Sequence, residues 1–521
     1  MHDNCARLTD HGEKAYGAHS SLSKPNILLI FADDLGFNDL EWKDPRLHTP
    51  FLRSLAFSRN TVQLDNSYVN QLCTPTRSAL MTGYYPFRIG TQNGVFLHME
   101  PTGVPVVFPF VSDNLRTLDY KTYLIGKWHL GYCNKQFLPT ERGFDYFYGY
   151  YGPQAGYFNH SADQFSRETE TIHHGLDLFE EKFAGRSIPD YTKSGIYSTD
   201  LFSGKAIETI ARHNKSQPFF MFLSFQSVHP PLQVPKSYEK HCQAFKPNTL
   251  RRVYCGMLAA MDVAIERVVK TLKMRGMYEN TVIIFSSDHV LALFANLSNK
   301  AYSAMDVAIE RVVKTLKMRG MYENTVIIFS SDNGGGVEFG ASNAPLRGEK
   351  DTLWEGGTRT NTFFHAPRYI HEFAVRKEMF HVVDYHATLL GIGGMDINAY
   401  GDGINQWQYI STGVPKLRRY QFIYNIDEHG SAIRDGDYKL IFGNADRKSS
   451  DHTMRFRLYR ISVDPSETND ISKENPAIVQ RMKGKLLSLA NFSRKNVRAP
   501  LSIFGSPEKF NGTYSSYWCT I

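Results

Sequence analysis

The chain has 521 residues, 42% of them hydrophobic, which is enough for a large core and two domains. Lysine and arginine number 59 against 52 acidic residues, and the resulting net charge of +7 suits an anionic substrate and a solvated surface equally well. No basic run interleaved with aromatics points to nucleic acid, and the longest apolar runs, NILLIFA and PFFMFLSF, fall far short of the ~18 residues of a membrane-spanning helix.

Residues 1–23 read as a polar leader, disordered or truncated, with charges throughout and no apolar segment of a secretory signal. Five N-x-S/T sequons, at Asn159, Asn214, Asn296, Asn491 and Asn511, nevertheless lean toward a secretory route. A true start lying upstream, with its signal, is the expectation that reconciles the two.

Asn26–Asp34, NILLIFADD, reads as a buried strand ending in two carboxylates. The stretch LCTPTRSALMTG follows, in which Cys73 precedes a proline and Arg77 with no acidic residue nearby. Alone, Cys73 reads as a buried thiol, half of a disulfide, a nucleophile or the substrate of a modification. TYLIG, from Thr122, is another short strand. It runs into GKWHLG, where Lys127 and His129 stand two apart and share one face of a strand. FFMFLSF, from Phe219, is a third strand, with His229 of SVHPP just past its end. Six cysteines, at 5, 73, 133, 242, 255 and 519, contain no C-x-x-C pair, which argues against a cysteine zinc site. With Cys73 set aside five remain, and an odd number leaves at least one without an internal partner.

The helical pattern MDVAIERVVKTLKMRG, with apolar residues at three- and four-residue spacing, occurs twice. Ala260–Asp288 and Ala304–Asp332 are the same 29 letters, 44 residues apart. Perfect identity in two copies is not a solenoid, whose units drift and recur. It reads as a recent duplication or, preferably, as a tandem exon retained in a gene model. The first copy follows YCGMLAAMD and ends in SSDHV, with His289. The second follows NKAYSAMD and ends in SSDNGGG, with Asp332 and Asn333. Asp332 rather than Asp288 is therefore the candidate, and the two copies are expected to compete for one strand slot.

Lys350 lies beyond, in LRGEKDTLWEGG. Past about Tyr400, short strand-like runs (RYQFIYNID, GSAIRDGDYKLIFGN, RFRLYRISV) and a helical NPAIVQRMKGKLLSLANFSRK suggest a smaller antiparallel sheet with a helix on it. Strands alternating with helices before that point predict an α/β sheet covered on both faces, with functional groups at strand C-terminal ends. The expected division is a catalytic domain over 24–400 and a smaller one over 401–521. Asp33, Asp34, Asp332 and Asn333 are either turn residues or a hard, oxygen-rich set suited to Ca²⁺ or Mg²⁺. Lys127, His129, His229 and Lys350 are each as readily ordinary. Together with the carboxylates they are what a metal-assisted anion site requires.

CTPTRSALMTG resembles the sulfatase signature. ADDLG, GKWHLG, SDNGG, LRGEK…WEGG, VVDYHATLLGIGG, AIRDGDYKLI and LYRISVDPSETND follow in the order that sulfatases of type I use, from about Lys24 to about Asp470. DGINQWQYISTG and HLGYCNKQFLPTERGFDYFYGY are most similar to the arylsulfatase B branch. The resemblance implies an alkaline-phosphatase-like fold: a large mixed sheet sandwiched by helices, with a smaller C-terminal domain of antiparallel sheet plus helix. It implies hydrolysis of a sulfate ester on a sugar, glycosaminoglycan or aryl group, in a lysosomal or secreted glycoprotein. It also implies that a formylglycine-generating enzyme converts Cys73 to Cα-formylglycine, whose hydrate is the nucleophile. On this resemblance Asp33, Asp34, Asp332 and Asn333 bind Ca²⁺, or less readily Mg²⁺, together with the modified Cys73. Arg77 holds the aldehyde hydrate, Lys127 and Lys350 clamp the sulfate, His129 takes a proton from the hydrate, and His229 gives one to the leaving alcohol. Alternative readings are a related phosphodiesterase or phosphonate hydrolase, against which the full CTPTR pentapeptide argues, and a non-catalytic anion-binding protein.

Overall fold

The computed structural model describes residues 24–275, 277, 281–285, 327–446 and 453–520. The leader, Cys5, Asp288, His289 and Asn296 lie outside them. A mixed sheet of 11 strands runs through the main body. In chain order its strands are β1 (Asn26–Ala32), β2 (Thr61–Tyr68), β3 (Lys121–Lys127), β4 (Tyr146–Tyr150), β5 (Phe179–Phe183), β6 (Arg186–Pro189), β7 (Phe219–Ser224), β8 (Thr281–Phe285), β9 (Ile327–Ser331), β10 (Arg359–His365) and β11 (Ala374–His381). Their spatial order is β11-β2-β10-β8-β1-β7-β3-β4-β5-β6, with β9 also between β1 and β10. The central pairs β1–β7, β7–β3 and β3–β4 are parallel, so their C-terminal ends open on one edge.

β1 has no polar face because it has no solvent face. Its alternation sends Ile27, Leu29 and Phe31 into one apolar layer and Leu28, Ile30 and Ala32 into the other. The first layer is closed by α1 (Cys73–Thr82) and α4 (Asp384–Ile392), the second by α2 (Ser198–Arg212) and α3 (Thr249–Met274). A second, antiparallel sheet follows, with strands β12 (Gln421–Ile426), β13 (Gly430–Asp435), β14 (Tyr438–Gly443) and β15 (Phe456–Arg460). Onto it packs α5 (Pro476–Ala490) through buried Met482 and Leu486. Tyr424, Ile433, Leu440 and Leu458 of this sheet belong to the same apolar cluster as Leu29 and Phe31, so one core runs through both sheets. The expected fold class is the observed one.

The repeat is divided between its copies. α3 comes from the first: Asp262 accepts the backbone N–H groups of Phe51 and Leu52, at 3.1 and 2.8 Å, and so caps the short helix Pro50–Ala56. The Cys242–Cys255 disulfide ties the start of α3 to the preceding loop. The strand slot between β1 and β10 is claimed twice. β8, of the first copy, pairs with β1 from Asn26↔Thr281 to Leu29↔Ile284. β9, of the second, continues from Leu29↔Ile328 to Ala32↔Ser331. Leu29 and Phe364 thus face both Ile284 and Ile328, the same residue of the two copies. The two copies therefore share one edge of β1 end to end, and they overlap at Leu29, where a single set of N–H and C=O groups faces both.

Deleting His289–Asp332 removes the competition and joins Asp288 directly to Asn333; those 44 residues taken from 521 leave 477. We expect the 477-residue chain, produced with a secretion signal, to be more soluble and to melt several degrees higher. An equal or higher melting temperature for the 521-residue chain would show that the second copy is a working part of the fold.

Candidate active site

At the C-terminal edge of the central strands six segments converge. β1 delivers Asp33 and Asp34, and β9 delivers Asp332 and Asn333. All four side chains are buried, none more than 2% exposed. Asp34 has φ +60°, a left-handed turn that an aspartate tolerates and that aims its carboxylate back toward β9. The two strand ends are sewn together: Asp34 N–H donates to Asp332 Oδ1 at 3.2 Å and Asn333 Nδ2 to Asp34 Oδ1 at 2.8 Å.

Cys73 is the first residue of α1, so its side chain sits at the positive end of the helix, whose first turn carries no acid. Its Sγ lies 3.5 Å from both Asp33 Oδ1 and Asn333 Oδ1. One turn on, Arg77 points the same way. Its Nη2 and Nε reach Asp332 Oδ2 at 2.9 and 3.2 Å, and Nη1 donates to Ser224 Oγ at 2.6 Å. β3 ends in Lys127, whose Nζ lies 2.5 Å from Asp33 Oδ2, and Lys350 Nζ lies 2.7 Å from Asp34 Oδ2. His229 Nε2 is 3.7 Å from the same Asp34 oxygen. All ten residues singled out in the sequence therefore meet in one place.

The charges account for one another. Three carboxylates face Arg77, Lys127 and Lys350, and a buried charge persists only when paired. Burial pushes Asp33 up to about 7, with Asp332 adding to the rise against Lys127 and Arg77. Burial works the same way on Asp34, but Lys350 and His229 outweigh it and hold the carboxyl below its usual range. Asp332 is likewise held well below by Arg77 and Lys127 against burial. Burial and then Lys350 bring His229 down to about 3, and burial, Lys127 and Arg77 keep His129 neutral. Burial and Asp332 push the Cys73 thiol far up, so the thiolate, the nucleophilic form, is suppressed.

Each imidazole has one nitrogen committed. His129 Nε2 donates to Phe96 O at 2.9 Å, which leaves Nδ1 as the acceptor; that atom is buried and makes no other hydrogen bond in the structure. His229 Nδ1 donates to Pro230 O at 2.6 Å, which leaves Nε2 facing the carboxylates. The donor set fits a hard divalent cation, since three carboxylates and a carboxamide oxygen share a buried pocket. Asp33, Asp34, Cys73 and His229 alone place ligand atoms within 4.8 Å of one another.

Two glycines permit the convergence. A Cβ on Gly334 would lie 1.8 Å from Gly356 O, because the turn after Asn333 rests directly on the EGG segment after Lys350. Gly126, at φ +105°, lets β3 approach β7; a Cβ there would lie 1.9 Å from Ser224 O. Sequence reading missed Ser224, Phe96 and Tyr150. The Tyr150 hydroxyl is buried without a hydrogen-bond partner, and burial, with Asp33 adding to it against Arg77, pushes it well above the usual phenol range. Ser224 was the polar end of an apolar strand, a signal that was available. The Phe96 contact is made by a backbone carbonyl and has no side-chain signature.

Comparison with known proteins agrees with this geometry. The Sulfatase family model matches residues 25–304 and 295–395, two segments that meet inside the repeated region. Arylsulfatase J of Mus musculus is 30% identical over 549 residues, covering 97% of this chain and 82% of its own. Human N-acetylgalactosamine-6-sulfatase is 25% identical over 389 residues, covering 73% and 64%. Among solved structures, Ps i-CgsB in complex with k-i-k-neocarrahexaose superposes with a TM-score of 0.71 at 26% identity, covering 94% of this chain and 97% of that one. A matched family model over most of the chain, a relative similar along nearly its whole length and a strand-edge site of this composition lead to one conclusion: this chain belongs to the sulfatase family and is an enzyme of sulfate ester hydrolysis.

Proposed function

We propose that the protein hydrolyses the sulfate ester of a sulfated sugar, with Cys73 in its Cα-formylglycine form as nucleophile and a Ca²⁺ ion held by Asp33, Asp34, Asp332 and Asn333. The observation that carries this reading is the seat of Cys73. Its side chain is at a helix N-terminus, within 3.5 Å of two of those oxygen ligands, and unfit to act as a thiolate. An aldehyde hydrate at this position supplies two hydroxyls, one to attack sulfur and one whose deprotonation expels sulfate and restores the aldehyde; a bound Ca²⁺ supplies positive charge for the attacking oxygen and for sulfate.

The chain's own groups supply the rest. Lys127 and Lys350, now on Asp33 and Asp34, are close enough to those carboxylates to hold sulfate oxygens as charge builds on them. Arg77, buried and paired with Asp332, keeps the carboxylate in place with a charge that does not titrate away. His129, with Nε2–H fixed on Phe96 O, presents Nδ1 to take a proton. His229 must carry a proton on Nε2 to donate it. Its depression comes from burial and then from Lys350 and Lys127, and a bound sulfate monoester offsets both ammonium charges. Protonation of His229 therefore belongs to the complex, and turnover of substrates with basic leaving groups should fall as pH rises through its value there.

The CTPTR segment is buried from Cys73 to Arg77, so a formylglycine-generating enzyme would have to meet it before folding. Passage through an oxidising compartment, toward lysosome or exterior, is supported by the disulfides Cys133–Cys519 and Cys242–Cys255 and by the exposure of Asn159, Asn214, Asn491 and Asn511, each in a sequon. A carbohydrate substrate is supported by the neocarrahexaose bound to Ps i-CgsB and by the sugar in the name of the human relative. Among the described residues no helix is long and apolar enough to cross a membrane.

Protein secreted from cells with an active formylglycine system should yield a Cys73 peptide with the aldehyde mass and hydrazide reactivity. Cys73→Ala should lose both, together with at least about 10³-fold in kcat. An unmodified thiol in active enzyme would refute the mechanism. Chelation should abolish turnover and Ca²⁺ restore it. Asp332→Ala should cost at least about 10²-fold in activity, while Asp288→Ala should cost little. Equal losses from the two would mean that the first copy supplies the ligand.

A further inference from the structure

His229 is not held by its strand. It lies five residues beyond the end of β7, in a turn closed by its own N–H donating to Gln226 O at 3.0 Å. The middle of the turn is pinned to the end of β1, Asp33 N–H donating to Ser227 O at 2.9 Å and Val228 N–H to Asp33 O at 2.7 Å, and its two ends are held from the loop between β4 and β5. The Tyr157 hydroxyl lies 2.9 Å from Gln226 O and 2.9 Å from His229 O, so one phenol proton is shared between carbonyls at both ends of the turn. Tyr157 is itself fully buried. Its N–H donates to Gln233 Oε1 at 2.8 Å, its carbonyl accepts from Ser198 N–H at 2.8 Å, and its ring stacks on Tyr197 with centroids 5.4 Å apart. The Gln226 side chain returns the contact by donating to Ala155 O. The two loops are thus zipped together from Ala155 to Gln233, and burial keeps the phenol protonated and a donor.

We infer that Tyr157 is a positioning residue for proton donation to the leaving alcohol, acting through the backbone of the His229 turn. The inference rests on the assignment of His229 as that donor. As the S–O bond breaks, its electron pair stays on the ester oxygen, which takes the proton from His229 Nε2. An imidazole rotated or shifted by a loosened turn misses that oxygen, whereas attack on sulfur does not involve it. The requirement depends on the leaving group: a sugar hydroxyl needs the proton, and a para-nitrophenolate leaves without it. Removing the Tyr157 hydroxyl should therefore act selectively.

The test measures kcat/KM of the full-length enzyme on a monosaccharide sulfate, phenyl sulfate and para-nitrophenyl sulfate. Tyr157→Phe should lose about tenfold or more on the first two and stay within about threefold on the third. His229→Ala should show the same selectivity, more strongly, and Tyr157→Phe should add nothing in its background. A uniform loss across leaving groups, or additive losses in the double variant, would overturn the positioning role. If His229→Ala itself is unselective, the donor assignment fails instead; if His229→Ala is selective and Tyr157→Phe is not, only the present inference fails. Should Tyr157→Phe fold poorly, a ring-fluorinated tyrosine at 157 keeps the shape and strengthens the donor. It should change kcat/KM for the sugar sulfate and leave para-nitrophenyl sulfate unchanged, and no difference between the two substrates would refute the role.

Discussion

Three carboxylates in one buried pocket repel one another, and the architecture of this protein follows from the need to hold them there. Asp33, Asp34 and Asp332 are each 2% exposed or less. Solvent therefore screens little of their repulsion, and each must meet a cation at hydrogen-bonding distance. Arg77, Lys127 and Lys350 arrive from a helix, a strand and a loop that are far apart in sequence. The site is consequently a device for bringing six segments to one point. A divalent cation and an anionic sulfate ester fit such a balance because they bring compensating charges, and each replaces contacts that the protein groups now make among themselves.

The C-terminal sheet takes part in this although none of its residues enters the pocket. Glu355, five residues after Lys350, is buried and accepts Lys439 Nζ at 3.0 Å, Tyr424 Oη at 2.7 Å and Tyr68 Oη at 2.9 Å. Its own N–H donates to Glu467 at 2.6 Å, and Glu467 in turn lies 2.8 Å from Lys439. Two carboxyls share one ammonium. Burial, with Glu355 adding to it against Lys439, pushes Glu467 up to about 7, while Lys439 and Arg434 hold Glu355 down to about 2 against burial. The EGG turn anchored in this way is the surface on which Gly334 rests, with Gly334 N–H donating to Gly357 O at 3.0 Å. The small sheet thus acts on the position of Asp332 and Asn333 through one turn of backbone.

Much of this was legible in the sequence because strand ends are where continuous apolar runs stop, and ADD, GKWH, SVH and SDN stand at four such stops. Single motifs were ambiguous, and only their joint order separated a site from ordinary turn aspartates and surface lysines. What stayed hidden has a common cause. Tyr157 acts on His229 through carbonyl groups, Phe96 through its own carbonyl and Asp262 through N–H groups, so none of them has a residue-type signature at the place it acts. The pairing of Cys133 with Cys519 was equally unreadable, because 386 residues of separation carry no spacing rule.

The repeat shows how little of a secondary-structure unit its letters specify. Both copies carry the same 29 letters, yet α3 takes its place through Asp262 and through Cys255, which lies outside the repeated letters. β9 takes its place through Ser331 and through the Asn-Gly-Gly-Gly that follows. Ser331 Oγ accepts from Leu35 N–H at 3.0 Å and donates to Asn333 O at 2.8 Å, so the second copy is secured at the end next to the site. The two claims on β1 meet at Leu29 because each copy is anchored by the neighbours that are its own: the first from the helix side, the second from the side of the acidic pocket. Identical segments are distinguished here by what flanks them, and the flanks of the two copies together make one complete unit.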